Sequence, residues 1–166
     1  MNKLNNIIFL DIDGVLCTPR ACAATDNTGM SSYLDPIGCQ LVKRLCEDNN
    51  AKIVISSAWR LTYDNIAMRA ILNAACPSLG DFILTDEKLW KTQNFVISYD
   101  NEGSSERGLE ISGWIYNNAA TFNNFVILDY LPDMMPLQDS LVQCNYNDGI
   151  SYMNYIDADK ILKQYC

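Results

Sequence analysis

The sequence predicts an α/β fold in which a parallel sheet is covered by helices on both faces, and three observations predict it. The runs IIFL, KIVI and FVIL are short, rich in β-branched residues and wholly or almost wholly apolar, so they read as strands buried on both sides. Amphipathic stretches of about ten to fifteen residues alternate with them, as in βαβ units. The chain has 166 residues, 49% of them apolar, and no repeat, linker or low-complexity segment divides it, so a single domain over 1–166 with a sizeable core is expected.

Taken in order, residues 7–12 form the first strand and end in Asp11-Ile12-Asp13-Gly14. From Cys17 to Ser32 the chain is small and polar, with Pro19 and Gly29 and no periodicity, which reads as an irregular loop. A helix then starts at the N-cap Asp35 with Pro36 in its first turn, and carries Ile37, Leu41, Val42 and Leu45 on one face as far as Asn49. Residues 52–56 are the second strand, and a helix over 62–75 follows with a stripe of Ile66, Ala67, Ala70, Ile71 and Ala74, ended by Cys76-Pro77. Between Leu79 and Ser105 two apolar pieces, 82–84 and 95–99, offer one sheet strand and one edge strand or flap. Glu106 to Asn118 is an amphipathic helix with Leu109, Ile111, Trp114 and Ile115, and 125–128 is a strand ending in Asp129. Residues 141–144 make a fourth strand, and 158–165 a closing helix.

Composition excludes whole classes of chemistry. With no histidine, the chain builds no Ser-His-Asp triad, Cys-His pair or His-ligated zinc site. Twelve Lys and Arg against twenty Asp and Glu give a net charge of -8, which opposes nonspecific binding to nucleic acid or to an anionic membrane. Seven scattered cysteines without a CxxC pair read as free, mostly buried thiols of a reducing compartment, and neither Cys17 nor Cys22 has the setting of a thiolate nucleophile. Asp11 and Asp13 interrupt the N-terminal apolar run after IIFL, so it reads as neither a signal peptide nor a membrane span, and a cytoplasmic protein is expected.

In a parallel sheet ligands bind at the carboxyl ends of the strands. Here those ends carry Asp11 and Asp13, Ser56, and Asp129, which would converge on one crevice. Carboxylates from two strands suit a hard divalent cation such as Mg²⁺, completed by waters and a substrate phosphate. A metal, a basic clamp and a hydroxyl together let an anionic nucleophile approach an anionic phosphate, the layout of phosphoryl transfer.

The phrases FLDIDGVL, KIVISSAWR, RGLEISGWI and FVILDYLPDM resemble the haloacid-dehalogenase-like (HAD-like) phosphohydrolases, most of all the HAD domain of Swiss Army Knife RNA-repair proteins and its stand-alone bacterial relatives. The resemblance runs over roughly residues 7–160 and implies a Rossmann-like fold. It implies that Asp11 attacks phosphorus, that Asp13 is acid and then base, that Ser56 binds the phosphoryl group and that Arg107 neutralises it. It further implies Mg²⁺ held by Asp11, Asp13 through its backbone carbonyl, and Asp129, with Asp133 as the later acid of the same motif. Gly14, Ser57 and Arg60 are the substrate-binding candidates beside them, and Lys88 or Lys91 are alternatives to Arg107 as the basic group.

Tyr130 stands where close relatives often place a second acid. About forty residues separate Asp13 from Ser56 and about twenty separate Arg107 from Asp129, so the cap is minimal and the site open to a bulky or macromolecular substrate. The expected substrate is a phosphomonoester: a nucleotide or nucleic-acid end phosphate first, a phosphoprotein or small metabolite otherwise. A phosphotransferase using the same residues, and a noncatalytic interaction module on the same fold, are the alternatives.

Overall fold

The computed structural model describes residues 5–25, 33–94 and 106–164. Four parallel strands form its sheet: β1 (Asn5–Leu10), β2 (Ala51–Ile55), β3 (Phe122–Asp129) and β4 (Leu141–Gln143), in the order β2-β1-β3-β4. β1 is central, pairing Leu10 with Ile55 on one side and with Leu128 on the other. That register sets the next residues of the three chains, Asp11, Ser56 and Asp129, side by side. Backbone bonds continue the pairing past the strand ends, from Asp11 N–H to Leu128 O (3.0 Å) and from Ser56 N–H to Leu10 O (3.1 Å).

Helices cover both faces, as the doubly buried strands require. Alternation along β1 sends Ile8 and Leu10 to one face and Ile7 and Phe9 to the other. The first face packs on α2 (Pro36–Asp48), α3 (Asn65–Ala75) and α5 (Tyr152–Lys163) through Val42, Leu45, Met68, Leu72, Ala158 and Leu162. The second packs on α4 (Glu106–Asn118), where Ile111 and Trp114 meet Phe9, the Trp114 and Phe9 rings lying edge to face at 5.3 Å.

Several local expectations are corrected. The segment expected to be an irregular loop contains the short helix α1 (Pro19–Ala23), capped by the Thr18 hydroxyl, which accepts from Ala21 N–H. α2 does start at the Asp35 cap, but Ile37 is 70% exposed and the buried face runs through Cys39, Val42 and Cys46. The helix expected from 62 starts later: a 3-10 turn over Ala58–Leu61 comes first, and Asp64 caps α3 at Asn65. Its buried face is Asn65, Met68 and Leu72, with Ile66 78% exposed. α5 begins at Tyr152 rather than 158, fixed by a reciprocal capping box between Ser151 and Asn154.

Of the two apolar pieces between 79 and 105, residues 82–84 touch the outer edge of β2 through an Ile53–Ile83 bridge, whereas 95–99 lie outside the described residues. Residues 90–92 extend the same edge, with Thr92 N–H donating to Ile55 O at 3.1 Å. The six cysteines among the described residues are unpaired, and no helix there is long and apolar enough to cross a membrane.

Candidate active site

The sheet register brings two carboxylates and one hydroxyl to a single line at the ends of β2, β1 and β3. Asp11 and Asp129 are 2% and 0% exposed, and both are oriented by the backbone that follows them. Ile12 N–H donates to Asp11 Oδ1 (2.9 Å) and Leu131 N–H to Asp129 Oδ1 (2.9 Å). Two adjacent buried carboxylates cannot both ionise freely. Burial first, and the Asp11 charge second, push the Asp129 carboxyl up to about 7, against the opposing pull of Arg107.

Arg107 is the cation between them. It projects from the first turn of α4 and sets Nη1 3.3 Å from Asp11 Oδ1 and 3.0 Å from Asp129 Oδ2. The alternatives lie elsewhere: Lys88 is exposed, and Lys91 Nζ donates to the Arg60 carbonyl (3.3 Å) and sits over the Trp90 ring.

Ser56 is fully buried, and its hydroxyl has no hydrogen-bond partner within the protein. Such a group is costly to bury and is satisfied by a ligand or water. Asp13 lies at the mouth, half-buried, and the indole N–H of Trp59 reaches both its carboxylate oxygens at 3.2 and 3.1 Å. Burial and the neighbouring Asp11 raise the Asp13 pKa, while the Trp59 bond and Arg107 oppose the rise.

The remaining sequence candidates are occupied otherwise. Arg60 is 4% exposed, and its guanidinium serves the fold: Nε donates to Thr92 O, Nη1 to Ser56 O and Ser57 O, and Nη2 to Asn94 Oδ1 and Glu110 Oε2. Those are all five donors that an arginine has, so none is left for a substrate. The Ser57 hydroxyl caps the 3-10 turn by accepting from Trp59 N–H (3.4 Å). Gly14 N–H donates to Cys17 O (2.7 Å), which removes it from ligand binding. Glycine is required there for another reason: φ is +69°, and a Cβ would lie 2.8 Å from the Tyr130 ring. Asp133 is exposed and accepts from Met135 N–H as a turn cap.

Two residues of the site escaped sequence reasoning. Trp59 had only its place three residues after Ser56 to point to the site, whereas Trp114 packs in the core against Phe9. Glu110 carried no signal at all beyond being an acid on the buried side of α4, one turn from Arg107. Cys17, next to Asp13 in the fold, is pushed up to about 12 by burial, by Cys22 and by Asp13, which excludes a thiolate nucleophile there at neutral pH.

The donor set fits Mg²⁺. Its oxygens are hard, and Mg²⁺ characteristically takes one or two protein carboxylates and leaves the rest of its octahedron to water and phosphate. Among the described residues no group of three or more His, Cys, Asp or Glu side chains is placed to hold a metal ion, so the carboxylate pair of Asp11 and Asp129 is what the site offers.

Acid-bearing strand ends on a parallel α/β sheet, with an arginine clamped between the acids, agree with what the resemblance to the haloacid-dehalogenase-like class implies. Within that class the family model described as "HAD domain in Swiss Army Knife RNA repair proteins" matches residues 7–154, and the chain belongs to this family. No curated protein and no solved structure matches the chain.

Proposed function

We propose that this domain is a Mg²⁺-dependent phosphomonoesterase that works through a phosphorylated Asp11. The observation that carries the reading is the buried, partnerless Ser56 hydroxyl beside a carboxylate pair that already holds a cation. That arrangement offers a donor to a phosphoryl oxygen and a nucleophile next to it.

In this reading Asp11 attacks phosphorus while Ser56 and Arg107 bind the equatorial oxygens as their charge grows. Asp13, its pKa raised by burial and by Asp11, is suited to give a proton to the leaving oxygen. Once deprotonated, it takes a proton from the water that hydrolyses the aspartyl-phosphate. Trp59 holds Asp13 in place through both steps. Asp11, Asp129 and the Asp13 backbone carbonyl would hold Mg²⁺, which supplies charge neutralisation at the phosphate; the Asp133 side chain, expected to join them, is not part of this set.

Membership of a family described by RNA repair supports a nucleotide or a nucleic-acid end phosphate as the substrate, bound locally rather than through a basic surface, given the net charge of -8. The unpaired thiols support a reducing, cytoplasmic setting. A domain that binds without turnover is the second reading, favoured by Tyr130 in the second acid position and by the exposed Asp133.

The test is phosphate release from an aryl phosphate, nucleotides, phosphorylated oligonucleotide ends, a phosphopeptide and sugar phosphates, with Mg²⁺ and with EDTA. Metal-dependent release that disappears in folded Asp11→Asn supports the enzyme and ranks its substrates. A folded protein that binds Mg²⁺ but releases phosphate from none of them overturns it in favour of the second reading.

A further inference from the structure

Ser56 has no bond of its own to aim its hydroxyl, so its direction depends on its backbone. That backbone is held from both ends, by Ser56 N–H on Leu10 O and by Arg60 Nη1 on the Ser56 carbonyl at 2.7 Å. The same guanidinium reaches Glu110 at 2.7 Å, with the two side chains 3% and 6% exposed. Glu110 stands three residues after Arg107 on α4, one turn along the same face. A single buried ion pair thus joins the peptide that carries Ser56 to the helix turn that carries Arg107.

The C-terminal half of α4 is anchored separately, by Trp114 against Phe9 and by its indole N–H on Leu89 O (3.0 Å). The first turn is tied to the site through Arg107 on Asp11 and Asp129, and the following turn is tied to Arg60 through Glu110. As a fold staple such a pair is a poor device, because desolvating two charges offsets their attraction and apolar replacements are often as stable. As a spacer it is well suited, since a guanidinium with every donor engaged has one available geometry.

We propose that the Arg60–Glu110 pair is a positioning strut that sets the Ser56 hydroxyl at a fixed separation from Arg107, so that phosphoryl transfer depends on it more than folding does. The inference rests on the proposed phosphatase reading. Without the strut, the Ser56 peptide and the helix that carries Arg107 lose their direct link and keep only their separate ties to β1 and β3, and misplacement by about 1 Å can cost on the order of 100-fold in rate.

The experiment compares wild type with Glu110→Gln, which keeps the shape and one acceptor oxygen, and with the double variant Arg60→Met plus Glu110→Met, which removes both charges. Thermal stability, kcat and KM with an aryl phosphate and Mg²⁺, and calorimetric affinity for inorganic phosphate are measured for each. The expected result is a kcat down by about 10-fold or more in both variants at a temperature where each is fully folded, although the double variant, in which Ser56 O, Ser57 O, Thr92 O and Asn94 Oδ1 lose their donor, melts below wild type. Wild-type kcat in the folded double variant overturns the strut and leaves a fold staple. If the double variant does not fold, Glu110→Gln decides: wild-type kcat in that protein overturns the proposal. If wild type itself turns over no substrate, the phosphatase reading fails. Phosphate affinity then decides for the strut: a loss of about 10-fold in Glu110→Gln supports it, and equal affinity overturns it.

Discussion

The Trp59 indole N–H donates to both carboxylate oxygens of Asp13, at 3.2 and 3.1 Å. This contact holds the side chain proposed to move the proton and, by favouring the carboxylate form, holds its pKa down against burial and Asp11. Trp59→Phe keeps the ring's packing and removes the donor. The expected outcome is a fall of about 10-fold in kcat, with the alkaline limb of the kcat–pH profile, where the acid form of Asp13 is lost, displaced to higher pH. A profile that stays where it is in the variant would show that Trp59 does not act on Asp13.

Ser56→Ala separates binding from folding more cleanly than any other change in the site. The hydroxyl is fully buried and unbonded, so removing it relieves a desolvated donor and leaves only a small void. Stability should therefore be unchanged or higher by up to about 1 kcal/mol. Phosphate transfer should fall by about 10- to 100-fold, the loss of one hydrogen bond to the transition state. Denaturant melts and steady-state kinetics on the same preparation check both halves, and a destabilised variant would mean that Ser56 has a structural partner.

The line Asp11, Ser56, Asp129 was legible in sequence because each residue terminates a buried apolar run, and adjacent parallel strands of similar register put their ends together. Helix faces were less legible. In α3 apolar residues occur around much of the circumference, so hydrophobicity alone does not choose the face; docking on the sheet buried Met68 and Leu72 and left Ile66 in solvent. Arg60 was read as a substrate cation because a sequence displays a positive charge but not the destinations of its donors. Three of those partners, Thr92, Asn94 and Glu110, lie 32 to 50 residues away. Long-range polar satisfaction of this kind has no period and no local motif.

The Asp11–Asp129 contact makes the metal-free protein sensitive to pH, with a definite sign. In the unfolded chain Asp129 titrates near 4, whereas burial and Asp11 push it up to about 7 in the fold. Between those values the folded state keeps a proton that the unfolded state has released, so stability is fully present below about pH 4 and declines as pH rises towards about 7, by at most about 4 kcal/mol. Asp129→Asn removes both the carboxylate and its effect. In EDTA the variant should therefore show a flatter dependence of Tm on pH over this range and a higher Tm than wild type at its alkaline end. Added Mg²⁺ should reverse the order at mildly alkaline pH, because it stabilises only the protein that retains both carboxylates in proportion to its affinity. Equal Mg²⁺ stabilisation of wild type and Asp129→Asn would remove Asp129 from the proposed metal ligands.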